Sequence, residues 1–257
     1  MSRPAASVLL VDIGNSRLKW ALWRAGRLTR PKALERSRLT DGELGRMIPR
    51  GTRIERILVA SVAGKRLERQ FAAAARRVLG LDPRFIAVTR RAAGVTTRYT
   101  ETWRLGVDRF MAAIAAHELA RSRAACVVSA GTAITVDLVD GRGVHRGGAI
   151  LPGPALMVES LFRRTEGIRR RARGGRIRGG LFARNTATAI EQGALYAAAA
   201  IVERAISEAR LVLRAKPLLV LTGGGAGELA PLIRHPHRTV PDLVLRGIAL
   251  HAGLPLR

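Results

Sequence analysis

The chain of 257 residues has one cysteine, Cys126, and that scarcity excludes both a disulfide framework and a cysteine-rich zinc site. No cluster of histidine and cysteine replaces it, so a transition-metal centre is not expected, and His117 and His145 read as packing or surface residues. No apolar run approaches the roughly 20 residues of a membrane-spanning helix, since ALYAAAAIVERAI is interrupted by Glu203 and Arg204. The apolar run Val8 to Val11 is too short for a signal-peptide core, and the expectation is a cytoplasmic protein. Aromatic residues make up only 4% of the chain, few for a surface that stacks bases. Acidic residues are scarce too, 19 against 45 basic ones, for a net charge of +26.

Such a charge would draw any polyanion, nucleic acid included. Yet only four of the basic residues are lysines, and alanine is abundant, as in GC-rich coding sequences that favour arginine codons. The charge peaks in RRTEGIRRRARGGRIRGG, residues 163 to 180, with eight arginines and five glycines. That composition fits a solvated loop or an anion funnel. Hydrophobic residues at 47% and charged residues at 25% are ordinary for a globular chain.

Periodicity gives strands at 8–11, 17–23, 55–63, 84–89 and 125–130, and a hairpin over 132–150 turning at Asp140-Gly141. Helices are expected over 65–79 with Gly80 as C-cap, over 105–121 with Phe110, Ile114 and Leu119 on one side, and over 186–213. A strand runs from Pro217 into the glycines 223–225, and a short helix covers 226–233. The mixture is an α/β fold with mixed sheets. LLVDIGNSRLKWAL and CVVSAGTAITVDLV share one plan, a buried strand, a glycine turn and a returning strand, which suggests a duplicated domain.

The stretch VDIGNSRLKW puts a carboxylate, a glycine turn and a lysine in sequence. Glycine lets backbone N–H groups approach an anion, and Lys19 adds a mobile charge. Asp12 cannot face phosphate directly but can hold a divalent cation through water. A plain hairpin with a surface Asp–Lys pair fits this motif equally well on its own. In TWRLGVDRF an Asp-Arg pair opens a helix. An acid there complements the helix dipole, and beside a cleft it can also take the proton from a hydroxyl nucleophile. LTGGG is a strand-to-helix turn able to admit an adenosine, though any tight junction favours glycine.

In this order, over nearly the whole chain, these motifs resemble the type III pantothenate kinases of coenzyme A synthesis. The resemblance implies the actin, heat-shock chaperone and sugar kinase superfamily: two ribonuclease-H-like halves, 1–120 and 121–257, around a central ATP cleft. It implies a homodimer that phosphorylates pantothenate with ATP and Mg²⁺. Asp12, Ile13, Gly14, Asn15, Ser16, Arg17, Leu18 and Lys19 match the first phosphate motif, with Ser16 where threonine is usual. Asp12 would hold Mg²⁺ through water, and Thr132 in the second phosphate motif would meet ATP. Asp108 matches the catalytic base. Tyr99, Gly106, Val107, Asp108, Arg109 and Thr186 match the pantothenate pocket. A monovalent cation, K⁺ or NH₄⁺, is expected from the family, but Ser129 stands where an aspartate usually helps to bind it. Thr102 replaces a usual proline, and the arginines at 169–173 replace a usual Leu-Pro pair. A transcriptional accessory factor that associates with nucleic acid, and another small-molecule kinase on the same scaffold, are the alternative readings.

Overall fold

The computed structural model describes residues 7–165, 167 and 180–256. The Arg-rich stretch therefore lies mostly outside the described residues, as does the tract at 169–173. The chain divides into two compact units: Met1–Arg121 with Gly143–His145 and Asp242–Arg257, and Ser122–Arg142 with Arg146–Pro241. The first thus takes in the C-terminal residues as well as those expected of an N-terminal half.

In the first unit, β1 (Ser7–Ile13) pairs antiparallel with β2 (Arg17–Arg24), which also carries β3 (Arg27–Leu28) and β4 (Lys32–Glu35). After α1 (Asp41–Arg46), β5 (Ile54–Ser61) joins β1 in parallel. Next come α2 (Lys65–Leu79) and β6 (Arg84–Phe85), so the sheet order is β3-β2-β1-β5-β6. Alternation along the strands splits the core. Leu9, Val11, Ile13, Leu18 and Trp20 pack with Leu44 of α1 and Phe71 and Ala74 of α2. The intervening residues, Asp12 and Lys19 among them, point to the other face. Helix α2 ends as its sequence demands, with Gly80 left-handed at φ 66° and its N–H bonded to Arg76. The strand expected over 84–89 is only two residues long, pairing with Leu58 and Val59.

The hairpin β7 (Arg91–Ala92) and β8 (Val95–Thr97) precedes α3 (Val107–Ala120). Val144 and His145 join this unit by pairing in parallel with Thr96 and Thr97. His145 is fully buried, a packing role as expected. The periodicity of α3 suggests one apolar side, but ten of its fourteen residues are buried. The reason is the C-terminal helix Leu243–His251, which packs against it. The two meet so closely that a Cβ on Gly247 would lie 1.9 Å from the Met111 carbonyl oxygen.

In the second unit, β9 (Ala125–Ala130) and β10 (Ala133–Val139) form an antiparallel hairpin, followed by β11 (Val144–Pro152) and α4 (Pro154–Arg164). The long helix α5 (Thr186–Leu213) has the expected bounds, with the Asn185 side chain capping Thr188 N–H at 2.9 Å. β12 (Leu218–Thr222) runs parallel to β9, and β13 (His237–Thr239) parallel to β12. Between them α6 (Ala226–Leu229) passes into a 3₁₀ turn, because Pro231 has no N–H to continue an α-helix. Cys126, Val128, Ile134 and Val136 of the sheet pack on Ala198, Val202 and Ile206 of α5.

The strand order β11-β10-β9-β12-β13 repeats that of the first sheet, an antiparallel meander followed by two parallel strands. The mixed α/β architecture read from the sequence is the observed one. Gly247→Ala is expected to lower stability by about 3 kcal/mol, a fall of roughly 6–12 °C in Tm by circular dichroism. An unchanged Tm would contradict so close a crossing.

Candidate functional site

The first glycine turn closes between Ile13, paired with Leu18, and a hydrogen bond from Gly14 N–H to the Arg17 carbonyl at 3.0 Å. Asn15, Ser16 and Arg17 are exposed, so the turn presents its backbone to solvent. In the second unit the echo is one residue tighter. Ala130 pairs with Ile134, and Gly131 N–H bonds the Ala133 carbonyl at 3.0 Å. Two further glycines make room for this turn. A Cβ on Gly153 would lie 2.2 Å from the Gly131 carbonyl oxygen, and one on Gly223, at φ 92°, would lie 2.1 Å from that of Ala130. Gly153 N–H also donates to the Thr132 carbonyl at 2.8 Å. Sequence reading placed an adenosine turn at 223 but gave Gly153 no part; its signal was the Pro-Gly-Pro run of residues 152–154.

Asp12 pairs across the hairpin with Lys19. Withdrawal from water pushes the Asp12 carboxyl up to about 7; Lys19 opposes the shift and Asp108 adds to it. The carboxylate of α3 is therefore close enough to be felt by that of β1. Two acids expected from separate motifs share one electrostatic environment within the first unit.

Asp108 lies in the first turn of α3, and its Oδ1 accepts the Arg109 N–H at 2.8 Å. A side chain at residue 106 would displace it, because a Cβ there would lie 2.6 Å from the same oxygen. Gly106 thus serves the carboxylate rather than the backbone, whose φ of −56° is open to any residue. The buried Arg109 donates from Nη1 to the Tyr99 hydroxyl at 3.1 Å, with its guanidinium 5.9 Å from the ring centroid. Tyr99 also meets His145, centroids 5.9 Å apart.

A residue missed by the sequence reading holds this group in place. Arg90 donates from Nη1 to the carbonyls of Tyr99 at 2.6 Å and Thr97 at 3.2 Å, and from Nη2 to that of Thr100 at 2.9 Å. One guanidinium fixes the segment that presents Tyr99. One more arginine in a chain with so many gave no signal.

Thr186 opens α5 in the second unit, at the side of an apolar groove of about 740 Å³ between α4 and α5. Met157, Leu161 and Ile190 line it. Ser129 sits between Thr135 and Thr222 across the sheet, a row of neutral hydroxyls without a carboxylate. Burial and the nearby Asp137 push the Cys126 thiol up to about 12, which disfavours the reactive thiolate. Among the described residues, no three carboxylate, histidine or cysteine side chains gather as a metal cluster, and no helix is long and apolar enough to cross a membrane.

The sequence model described as type III pantothenate kinase matches residues 8–208. The chain belongs to the type III pantothenate kinase family. It is 34% identical over 252 residues to the type III pantothenate kinase of Nitrosococcus oceani, covering 94% of this chain and 92% of that one. It is 38% identical over 241 residues to that of Alkalilimnicola ehrlichii, covering 94% and 96%. Among solved structures, a Campylobacter jejuni protein described as a Baf family transcriptional activator aligns with a TM-score of 0.60 at 23% identity, covering 95% and 98%. The activator of 2-hydroxyisocaproyl-CoA dehydratase from Clostridium difficile, with bound ADPNP, aligns at 0.52 and 12% identity, covering 96% and 94%. At these identities the likeness is one of fold.

The raised Asp12 carboxyl has a stability consequence. The folded protein holds a proton that the unfolded chain releases, so wild-type stability falls as pH rises from about 4 to about 7 and is flat above. Asp12→Asn removes this partly buried charge, and is expected to add up to about 4 kcal/mol at high pH and less in acid. Urea unfolding at about pH 5 and pH 8 tests this; equal effects at both would contradict it.

Proposed function

We propose that this chain phosphorylates the primary hydroxyl of pantothenate with ATP, giving 4'-phosphopantothenate for coenzyme A synthesis. The observation that carries the reading is that Asp12, withdrawn from water beside an exposed glycine turn, feels the charge of Asp108 from a motif distant in sequence.

Backbone N–H groups at 14–16 hold phosphate oxygens in the first unit, with Lys19 as a point charge; Gly131 and Thr132 offer a second such nest in the second unit. The nearby carboxylates of Asp12 and Asp108 fit a hydrated divalent cation, which relieves their repulsion. Mg²⁺ when bound would neutralise charge on the polyphosphate, held by Asp12 through water. The hydroxyl row around Ser129 lacks the anionic ligand expected of a site for K⁺ or NH₄⁺.

Asp108 acts as the base. It lies in the first turn of α3, where its Oδ1 accepts the Arg109 N–H. As the pantothenate hydroxyl oxygen attacks the γ-phosphorus in line, its proton passes to Asp108 and the bond to the β–γ bridging oxygen breaks, releasing ADP. Arg109 and Tyr99, tied to one another, orient the acceptor with Gly106 and Val107. A homodimer through the α4–α5 face is part of this reading, supported by the apolar groove and by Phe182 beside it, which is 94% exposed. The nucleic-acid alternative, offered by the family resemblance and by net charge, gains nothing from the site.

Asp108→Asn is expected to lower turnover by roughly 10²–10⁴-fold, measured by ADP release with pantothenate as acceptor, while ATP still binds. Full activity in that variant would rule out Asp108 as the base, and no pantothenate-dependent ADP release from the wild type would overturn the reading itself.

A further inference from the structure

The first unit has a second concave feature on the opposite face of its sheet from the acid pair. A cleft of about 700 Å³ lies between α2 and the segment that leads into α1. Its floor is apolar: Leu39, Leu67 and Ala74 belong to the cluster beneath Leu9, Val11 and Ile13. Asp12 and Lys19 alternate to the other face, so the cleft is separate from the phosphate turn's charged side chains.

The rim is cationic. Arg36, Arg66 and Arg77 line it against a single carboxylate, Asp41. Arg77 already holds Asp41 with two hydrogen bonds, at 2.7 and 2.9 Å. Arg36 and Arg66 thus line the cleft with no carboxylate partner among the described residues. Thr40 and Gln70 add neutral hydrogen-bonding groups to the same wall.

Both walls are fastened to the phosphate turn. Arg36 N–H donates to the Ser16 carbonyl at 3.0 Å, and Val62 N–H, one residue before the lining Ala63, donates to the Ile13 carbonyl at 3.0 Å. The cleft therefore backs onto the turn that the kinase reading gives to ATP.

We propose that this cleft is a second ligand site, taking a small organic phosphate whose apolar body lies on Leu39 and Leu67 and whose head is gripped by Arg36 and Arg66. Guanidinium groups match phosphate oxygens in a planar fork, and the floor rewards an apolar substituent that inorganic phosphate lacks. The site goes beyond the kinase reading and binds its ligand without ATP.

Isothermal titration of the full chain with hexyl phosphate at about 150 mM salt tests this, with and without saturating adenylyl imidodiphosphate. The expected result is one site that persists with the nucleotide analogue present, weakened at least about tenfold in R36A/R66A. Inorganic phosphate and hexanol, the two halves of the probe, should each bind at least about tenfold more weakly. The charge-matched R30A/R50A variant should bind as wild type. All four arginines are exposed, so both variants should fold. Absence of binding, equal weakening in the two double variants, or displacement by the nucleotide analogue would overturn the proposal. Failure of the analogue itself to bind would count against the kinase reading, because the hexyl phosphate arm without nucleotide is read independently.

Discussion

The costly charge of Asp12 at the end of β1, raised chiefly by withdrawal from water and further by Asp108 at the start of α3, is the constraint around which the first unit is arranged. Water is largely withdrawn from Asp12, so its charge is costly, and Lys19 offsets only part of that cost. A chain selected for stability alone would put an apolar residue there. The surroundings hold the acids in place: β1 buried on both faces, α3 buried on nearly every side, and the C-terminal helix pressed against it at Gly247. On the proposed reading, a cation and a polyphosphate complete the charge balance there.

The remaining chemistry is carried by backbone. Both glycine turns follow the first strand of a hairpin, and both units build that hairpin into the same strand order. Repetition of one plan explains why a single chain presents two phosphate-type turns. The second is the more crowded, with Gly153 and Gly223 against it, while the first is fastened from behind through Ser16 and Ile13. Around the proposed acceptor pocket the same economy appears: Arg109 bonds Tyr99, and Arg90 grips the backbone that carries Tyr99.

Much of this was legible in the residues because it is local. The bounds of α5 follow from Asn185 as a cap and from an unbroken alanine-rich run, and the end of α2 follows from Gly80. The hairpins follow from alternation around VDIGNS and SAGTA. What was not legible depends on contacts between distant segments. The helix Leu243–His251 joins the first unit because it packs on α3, which no window of sequence contains. For the same reason α3 looked one-sided. The sequence reading assigns no helix to Pro154–Arg164, although proline suits a first helical turn. Asp12 and Asp108 were each singled out, but their mutual influence emerges only when β1 and α3 are packed in one unit.

That influence is directly measurable. Carboxyl ¹³C shifts of aspartate-labelled protein, followed through a pH titration with Asp12 assigned by substitution, report its proton occupancy in the free protein. The account predicts a midpoint near 7 in wild type, moving downward when Asp108 is replaced by asparagine, because one neighbouring negative charge is then gone. An Asp12 carboxyl that titrates near the ordinary value of about 4, or one indifferent to the charge at residue 108, would contradict it.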